Sequence, residues 1–300
     1  MNALETSALT YRYGPDKVLD NVNLVVSPGT IYGFLGPNGA GKTTTLKLAT
    51  GLLRMQEGAI HIFGQSMPVH RIEILRSIGT LIESPSLYAH LTARENLLLY
   101  QKLYRCPSAR ITETLERVGL ARTGSKKAGQ FSLGMKQRLS IAIALLHSPR
   151  LLILDEPTNG LDPSGIIEVR ELLKQLTGQE GLTVLISSHL LAEIERLVTH
   201  IGIIHKGRLV FQGTMDELHM KQRHSSGLLL GTDNPEGARH LLSECGIEAV
   251  PENGHLVLPD LPSEKMAEIT RQLVARDIGV YRIEPKKNDL EQIFINLVND

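Results

Sequence analysis

Cysteine is nearly absent, with Cys106 and Cys245 the only two in 300 residues. Two thiols so far apart in sequence make neither a disulfide framework nor a metal knuckle, and they point to a reducing compartment such as the cytosol. An excess of either charge is missing too: 32 Lys and Arg stand against 32 Asp and Glu. No net field draws the chain to nucleic acid or anionic lipid, so any such binding has to be local. No apolar run approaches the ~18 residues that cross a bilayer, and the start MNALETSALT has neither a basic opening nor an apolar targeting stretch. The expectation is a chain that is neither secreted nor itself a channel, and that is soluble when expressed alone. Heptad arrays, low-complexity tracts and internal repeats are lacking as well. What is present is ordinary globular composition, 42% hydrophobic and 21% charged, with 27 Gly and 14 Pro. At about 100–200 residues per domain, this length suits one large α/β domain or one domain with a small appendage.

The first residues alternate in polarity. LTYRYG and VLDNVNLVV flank a Gly14-Pro15-Asp16 cluster, which reads as an antiparallel hairpin. TIYGFLG is a short strand opening into a Gly-rich loop, and KTTTLKLATGLL behind it has helical spacing, with Gly51 placed to cap its end. Between about residues 60 and 130, strand-like AIHIFG and SIGTLIE precede amphipathic runs at ARENLLLYQKLY and ITETLERVGL, a mostly helical insert. Then come helix SLGMKQRLSIAIALLH, strand LLILDEP, helix GIIEVRELLKQLTG, strand TVLISS, helix LLAEIERLVTH, and strands IGIIHKG and RLVFQG. Strands and helices in alternation, with continuously apolar strands, predict a parallel sheet covered on both faces. Polarity rises over DELHMKQRHSS, and the expected boundary there gives domains at 1–225 and 226–300. The remainder reads β-α-β-β-α-β, a ferredoxin-like pattern with Asn253-Gly254 as the turn between its middle strands and a last helix in LEQIFINLVND.

Gly36-Pro37-Asn38-Gly39-Ala40-Gly41-Lys42-Thr43, continued by Thr44, matches a phosphate-binding loop and lies between a strand and a helix, where the chemistry needs it. Its glycines let backbone N–H groups wrap phosphates, and the helix N-terminus adds a dipole that favours anions. Lys42 is placed to hold the β- and γ-phosphates and Thr43 to ligate Mg²⁺. Leu151-Leu152-Ile153-Leu154 is an apolar strand that ends in Asp155 and Glu156, as buried strands seldom do. Near a phosphate loop, Asp155 can hold Mg²⁺ through water, and Glu156 can accept a proton from the attacking water. By themselves, His189 after Ser187-Ser188 is better explained by structure than by chemistry, Tyr13 by a half-buried strand, and the pair Lys126-Lys127 by a solvated loop.

Together these residues resemble the ATP-binding subunits of ABC transporters, over roughly residues 1–225. The segment that carries the resemblance is Phe131-Ser132-Leu133-Gly134-Met135-Lys136-Gln137-Arg138, which is similar to the family's Leu-Ser-Gly-Gly-Gln signature and lies just before the Asp155-Glu156 strand. Asn159-Gly160-Leu161-Asp162 resembles the family's D-loop, His189 its switch histidine and Tyr13 the aromatic that stacks on adenine. The resemblance implies an ABC-type P-loop ATPase domain with a mixed sheet core, an antiparallel β subdomain and a helical signature subdomain at about 85–145. A small C-terminal α+β ferredoxin-like domain follows. It implies nucleotide contacts for Tyr13, Ser132, Gly134 and Asp162, and a catalytic role for His189. Two departures stand out: Leu133 and Met135 in the signature, and Ile82-Glu83-Ser84-Pro85 where the family places Gln. Both resemble the bacitracin-export and lantibiotic self-protection branch. In that reading Glu83 joins Glu156 and His189 as a catalytic candidate, and joins Thr43 and Asp155 as a metal candidate.

In the family, two such subunits pair head to tail, and each ATP lies between one phosphate loop and the other subunit's signature. Every half-site element occurs once here, so a homodimer is expected to hold two complete sites for ATP and Mg²⁺. The implied partners are integral membrane permease subunits, at the cytoplasmic face of the plasma membrane, with no nucleic acid. The implied function is the motor of a peptide-antibiotic exporter; an import motor and a non-transport ATPase remain the alternatives. About 90 residues separate Lys42 from Ser132, with no long coiled coil between them, which disfavours the last.

Overall fold

The computed structural model describes residues 1–83, 87–224, 227–252 and 254–286. Ser84, Pro85, Asn253 and the expected last helix at 290–300 lie outside the described residues. The chain divides into two compact units, Met1–Met215 and Asp216–Asp300.

In the first unit, β1 (Leu4–Tyr13) and β2 (Asp16–Val22) pair antiparallel with Tyr13 opposite Asp16, as their alternation predicts. The two-residue β3 (Val25–Val26) also pairs with β1, and β4 (Ile31–Leu35) leaves for another sheet. All five residues of β4 are buried, the mark of a strand covered on both faces. It leads through the Gly-rich loop into α1 (Lys42–Ala49). Thr50 closes that helix, with Gly51 next at φ 67°. Strands β5 (Glu57–Ile62) and β6 (Gln65–Ser66) complete the antiparallel sheet on the far side of β1.

The helical part follows α2 (Arg71–Ser77) and β7 (Ile78–Leu81). It holds α3 (Ala93–Tyr104), α4 (Ala109–Arg117) and α5 (Leu133–Leu145). Helix α3 opens on a capping box: Thr92 Oγ1 accepts the Glu95 N–H at 3.2 Å, and the Glu95 carboxylate accepts the Thr92 N–H at 2.7 Å. The Thr92 amide and hydroxyl, with Lys127, hold the Glu95 carboxyl down at about 2.

The large sheet then collects β8 (Leu151–Leu154), β9 (Thr183–Ser188) after α6 (Pro163–Glu180), and, past α7 (Leu191–Ile194), β10 (His200–His205) and β11 (Arg208–Thr214). Its order is β11-β10-β4-β9-β8-β7, parallel throughout except for the β10–β11 hairpin. The parallel run puts the C-terminal ends of β4, β8 and β9 on one edge, where open α/β sheets bind ligands. The helix expected over LLAEIERLVTH is shorter than its periodicity suggests. It stops at Ile194, because Thr199 donates to Ile31 O and His200 enters the parallel ladder opposite Tyr32. Strand pairing with the buried β4 outweighs a local helical preference of a few tenths of a kcal/mol per residue.

Helix α8 (Met215–His224) takes up the polar stretch where the sequence suggested a boundary. In the second unit, β12 (Gly227–Thr232), α9 (Pro235–Glu244), β13 (Val250–Glu252), β14 (His255–Pro259), α10 (Ser263–Ala275) and β15 (Val280–Lys286) follow in turn. The sheet runs β13-β14-β12-β15, all antiparallel, which is the ferredoxin-like order. One face of α9 and α10 packs on it through Leu241, Leu242, Ile269 and Leu273, against Leu230, Leu256 and Leu258.

Candidate nucleotide site

The loop between β4 and α1 turns back on itself because two of its glycines could not be anything else. Gly41 has φ 110°, and a Cβ there would lie 2.6 Å from Leu19 Cδ2. A Cβ on Gly36 would lie 2.4 Å from Ile204 O. Gly41 gives α1 no side-chain cap, so the first-turn N–H groups are free to meet an anion. Lys42 is 5% exposed, and its ammonium donates to Gly36 O at 2.7 Å and to Pro37 O at 3.4 Å. Glu156 Oε1 stands 3.3 Å from it. A buried ammonium of this kind, set in a loop of open amides, fits a phosphate chain.

The carboxylates at the end of β8 meet that loop across the sheet. Thr43 Oγ1 donates to Asp155 Oδ2 at 2.8 Å, and the Asp155 N–H donates to Leu81 O of β7. Ser187, at the end of β9, donates to Asp155 Oδ1 at 2.5 Å and accepts the Glu156 N–H at 2.9 Å. Glu156 takes a left-handed backbone, φ 49°, and its Oε2 lies 2.7 Å from His189 Nδ1. A hydroxyl and a carboxylate in contact make an all-oxygen donor pair, the chemistry that suits Mg²⁺. Lys42, Thr43, Glu156 and His189 line a cleft of about 390 Å³ together with Asn38, Gly39, Gly41, Thr44, Val18 and Asn159.

Nine of the expected residues are not in that wall: Gly36, Pro37 and Ala40 of the loop, Asp155, which meets it through Thr43, and Tyr13, Glu83, Ser132, Asp162 and Gly134. Tyr13 is 47% exposed in β1, edge-on to Tyr11 at 4.9 Å. Glu83 has φ 67°, and its carboxylate is held by Lys47 of α1 at 2.5 Å, which pushes the Lys47 ammonium up. Ser132 caps α5, accepting the Met135 N–H at 3.2 Å. Asp162 caps α6, accepting the Gly165 N–H at 3.0 Å. Gly134 lies at the start of α5 beside α6, where a Cβ would come 3.7 Å from Gly165 Cα. Arg138 straps the two helices through Glu168 at 3.2 Å.

Ser187 and Lys47 were not singled out from sequence as site residues, and Asn159 was named only within the D-loop stretch. Ser187 had a signal, a polar residue closing an apolar strand next to His189. Lys47 had none, since its partner Glu83 is remote in sequence.

A strand-loop-helix phosphate cradle in a mixed sheet, faced by Asp155, Glu156 and His189 from two further strands, defines a P-loop nucleotide-hydrolase domain. The chain belongs to the ATP-binding proteins of ABC transporters. The family model described as ABC transporter matches residues 19–159. The bacitracin transport ATP-binding protein BcrA of Bacillus licheniformis is 43% identical over 98% of this chain and 97% of its own length. The lantibiotic transport ATP-binding protein SrtF of Streptococcus pyogenes is 43% identical over 71% of this chain and 91% of its own. Among solved structures, the ATP-binding subunit of an ABC transporter is 35% identical, with a TM-score of 0.65 over 73% of this chain and 92% of that one. A dimeric bacterial ABC transporter cassette is 27% identical, with a TM-score of 0.63 over 71% of this chain and 98% of that one. Proteins of this family bind ATP, and their cassettes act as dimers with membrane permease subunits.

Proposed function

We propose that this chain is the ATP-hydrolysing motor of an exporter that removes a peptide antibiotic of the bacitracin or lantibiotic kind from the membrane. The observation that carries the ATPase reading is the cleft in which Lys42, Thr43, Glu156 and His189 converge, with Asp155 bonded to the Thr43 hydroxyl. The cargo reading rests on the similarity to BcrA, which at 98% coverage extends through the second unit as well.

Gly36 to Thr44 wrap the phosphates, with Lys42 on the β- and γ-phosphates. Thr43 and Asp155 would hold Mg²⁺, which when bound neutralises phosphate charge. Glu156 accepts a proton as water attacks the γ-phosphorus and the bond to the ADP oxygen breaks, giving ADP and phosphate. His189 orients the Glu156 carboxylate and meets the γ-phosphate side of the cleft. Exposed Tyr13 offers a ring for adenine. Ser132, Gly134 and Asp162 serve the site of a second copy, so the working form is a homodimer with two shared sites. Glu83 is assigned to the metal side of the cleft and to contact with the permease, its charge balanced by Lys47. No described helix is long and apolar enough to cross a membrane, which fits a subunit held at the cytoplasmic face by its permease.

The test is expression of the chain, with its neighbouring permease, in a bacitracin- and lantibiotic-sensitive strain. Resistance should rise with the wild-type chain and not with Lys42→Ala. Equal resistance in both would refute the motor reading, and accumulation of the antibiotic on expression would favour import.

A further inference from the structure

The geometry points to Ser187 as a positioning residue for hydrolysis, one whose single hydroxyl sets both Asp155 and Glu156; this rests on the ATPase reading above. Ser187 is fully buried at the end of β9, the strand between β4 and β8. Its O–H donates to Asp155 Oδ1 at 2.5 Å, and its oxygen accepts the Glu156 N–H at 2.9 Å. A buried hydroxyl has one hydrogen to give, so donating to the carboxylate leaves its lone pairs for the amide. Donor and acceptor are thus both committed, and to adjacent residues.

Each contact has a distinct effect. Tying Oδ1 of Asp155 leaves Oδ2 for Thr43 at 2.8 Å, so the hydroxyl decides which carboxylate oxygen faces the phosphate loop. Anchoring the Glu156 amide holds that residue in its left-handed backbone, φ 49°, a conformation that side chains with a Cβ seldom adopt unless the surroundings impose it. From that turn the Glu156 carboxylate reaches His189 on one oxygen and Lys42 on the other. Without the hydroxyl, nothing in the described contacts of β9 replaces the bond to Asp155 Oδ1. Ser188, next in the strand, spends its own hydroxyl on the backbone of Leu190.

The experiment compares wild type, Ser187→Ala and Ser187→Thr in the full chain. It measures kcat and KM for ATP, affinity for a fluorescent trinitrophenyl-ATP probe, and the thermal unfolding midpoint. Loss of a residue that orients the reacting groups typically costs about 10–100-fold. Ser187→Ala should therefore lower kcat by that factor while probe affinity stays within about threefold, and Ser187→Thr, which restores a hydroxyl, should recover most of kcat. Wild-type kcat in Ser187→Ala, or a loss of probe affinity as large as the loss of kcat, would overturn the proposal. So would a Thr variant that melts like wild type yet hydrolyses no faster than the Ala variant. The wild-type arm separates this from the underlying reading: if wild type itself hydrolyses no ATP, the ATPase assignment falls; if it does, only Ser187 is in question.

Discussion

Two groups of motif residues in the first unit are in opposite states. Around the cleft, Lys42, Thr43, Asp155, Glu156, Ser187 and His189 bond to one another from two strand ends and one helix start. At the start of α5 and α6, the Ser132 and Asp162 side chains bond, among the described residues, only to N–H groups of their own helices, and Leu133 beside them is 51% exposed. The cleft is held together by contacts within a single chain. The other edge is finished as local structure, with Ser132 and Leu133 turned outward. A site shared between two chains needs both kinds of half: one that holds charge in place, and one rigid enough to be met by another molecule.

The sharpest way to break this contrast is inside the cleft. Glu156→Gln should lower kcat by about 10²–10⁴, the usual worth of a general base, and leave ATP affinity intact in a binding titration. Lys42→Ala should lose ATP affinity itself. If both variants lost affinity equally, the division between holding phosphate and accepting a proton would be wrong.

Next comes the outward edge. Gly134→Asp should bind ATP within about threefold of wild type as a single chain, since Gly134 is not in the cleft wall, yet fail to hydrolyse it. Mixing inactive Lys42→Ala with inactive Gly134→Asp should restore hydrolysis, because a mixed pair has one site with an intact loop and an intact signature. No recovery on mixing, with pairing shown by size-exclusion, would mean that each chain works alone.

At Glu83 the effect depends on the substitution. Its carboxylate is 64% exposed and paired with Lys47, so the bond itself is worth at most about 1 kcal/mol. Glu83→Gln should keep ATP binding and most basal hydrolysis, while Glu83→Ala should lose hydrolysis and antibiotic protection. Wild-type activity in Glu83→Ala would remove both the metal-side and the permease role.

The smallest lies in the helical part, away from both halves. Thr92→Ala should cost about 1 kcal/mol in urea unfolding, the usual worth of an N-cap, with ATP affinity unchanged. Glu95 of the same capping box has its folded value at about 2, below the ordinary 4.5. A depressed carboxyl stabilises the fold above its unfolded value and loses that contribution as pH falls through the folded one. The difference in melting temperature between wild type and Glu95→Gln should therefore be full above about pH 4.5 and vanish toward pH 2. A constant difference across that window would show that the charge plays no part.

Much of this architecture was legible because its signals are local. Helix α3 spans Ala93–Tyr104, the stretch marked by its amphipathic run, and the phosphate loop, contiguous in sequence, needed only its flanking strand and helix to be read. Periodicity failed at 195–200, where the chain has helical spacing but turns away after Ile194 and joins the ladder beside β4 at His200. It was also silent on which partner each polar residue takes. Glu83 was expected near Asp155 and Glu156, and its carboxylate is on Lys47.

By itself, then, the amino-acid order determined what depends on neighbours along the chain: the glycines that let the loop turn, the apolar runs that make buried strands, the caps that start helices. The tertiary structure decided which reactive groups meet. Thr43 touches Asp155 across 112 positions, and Ser187 reaches Asp155 across 32. Those contacts follow from the strand order β4-β9-β8 and its parallel register. Burial of the apolar strands sets that order, and no short-range pattern encodes it.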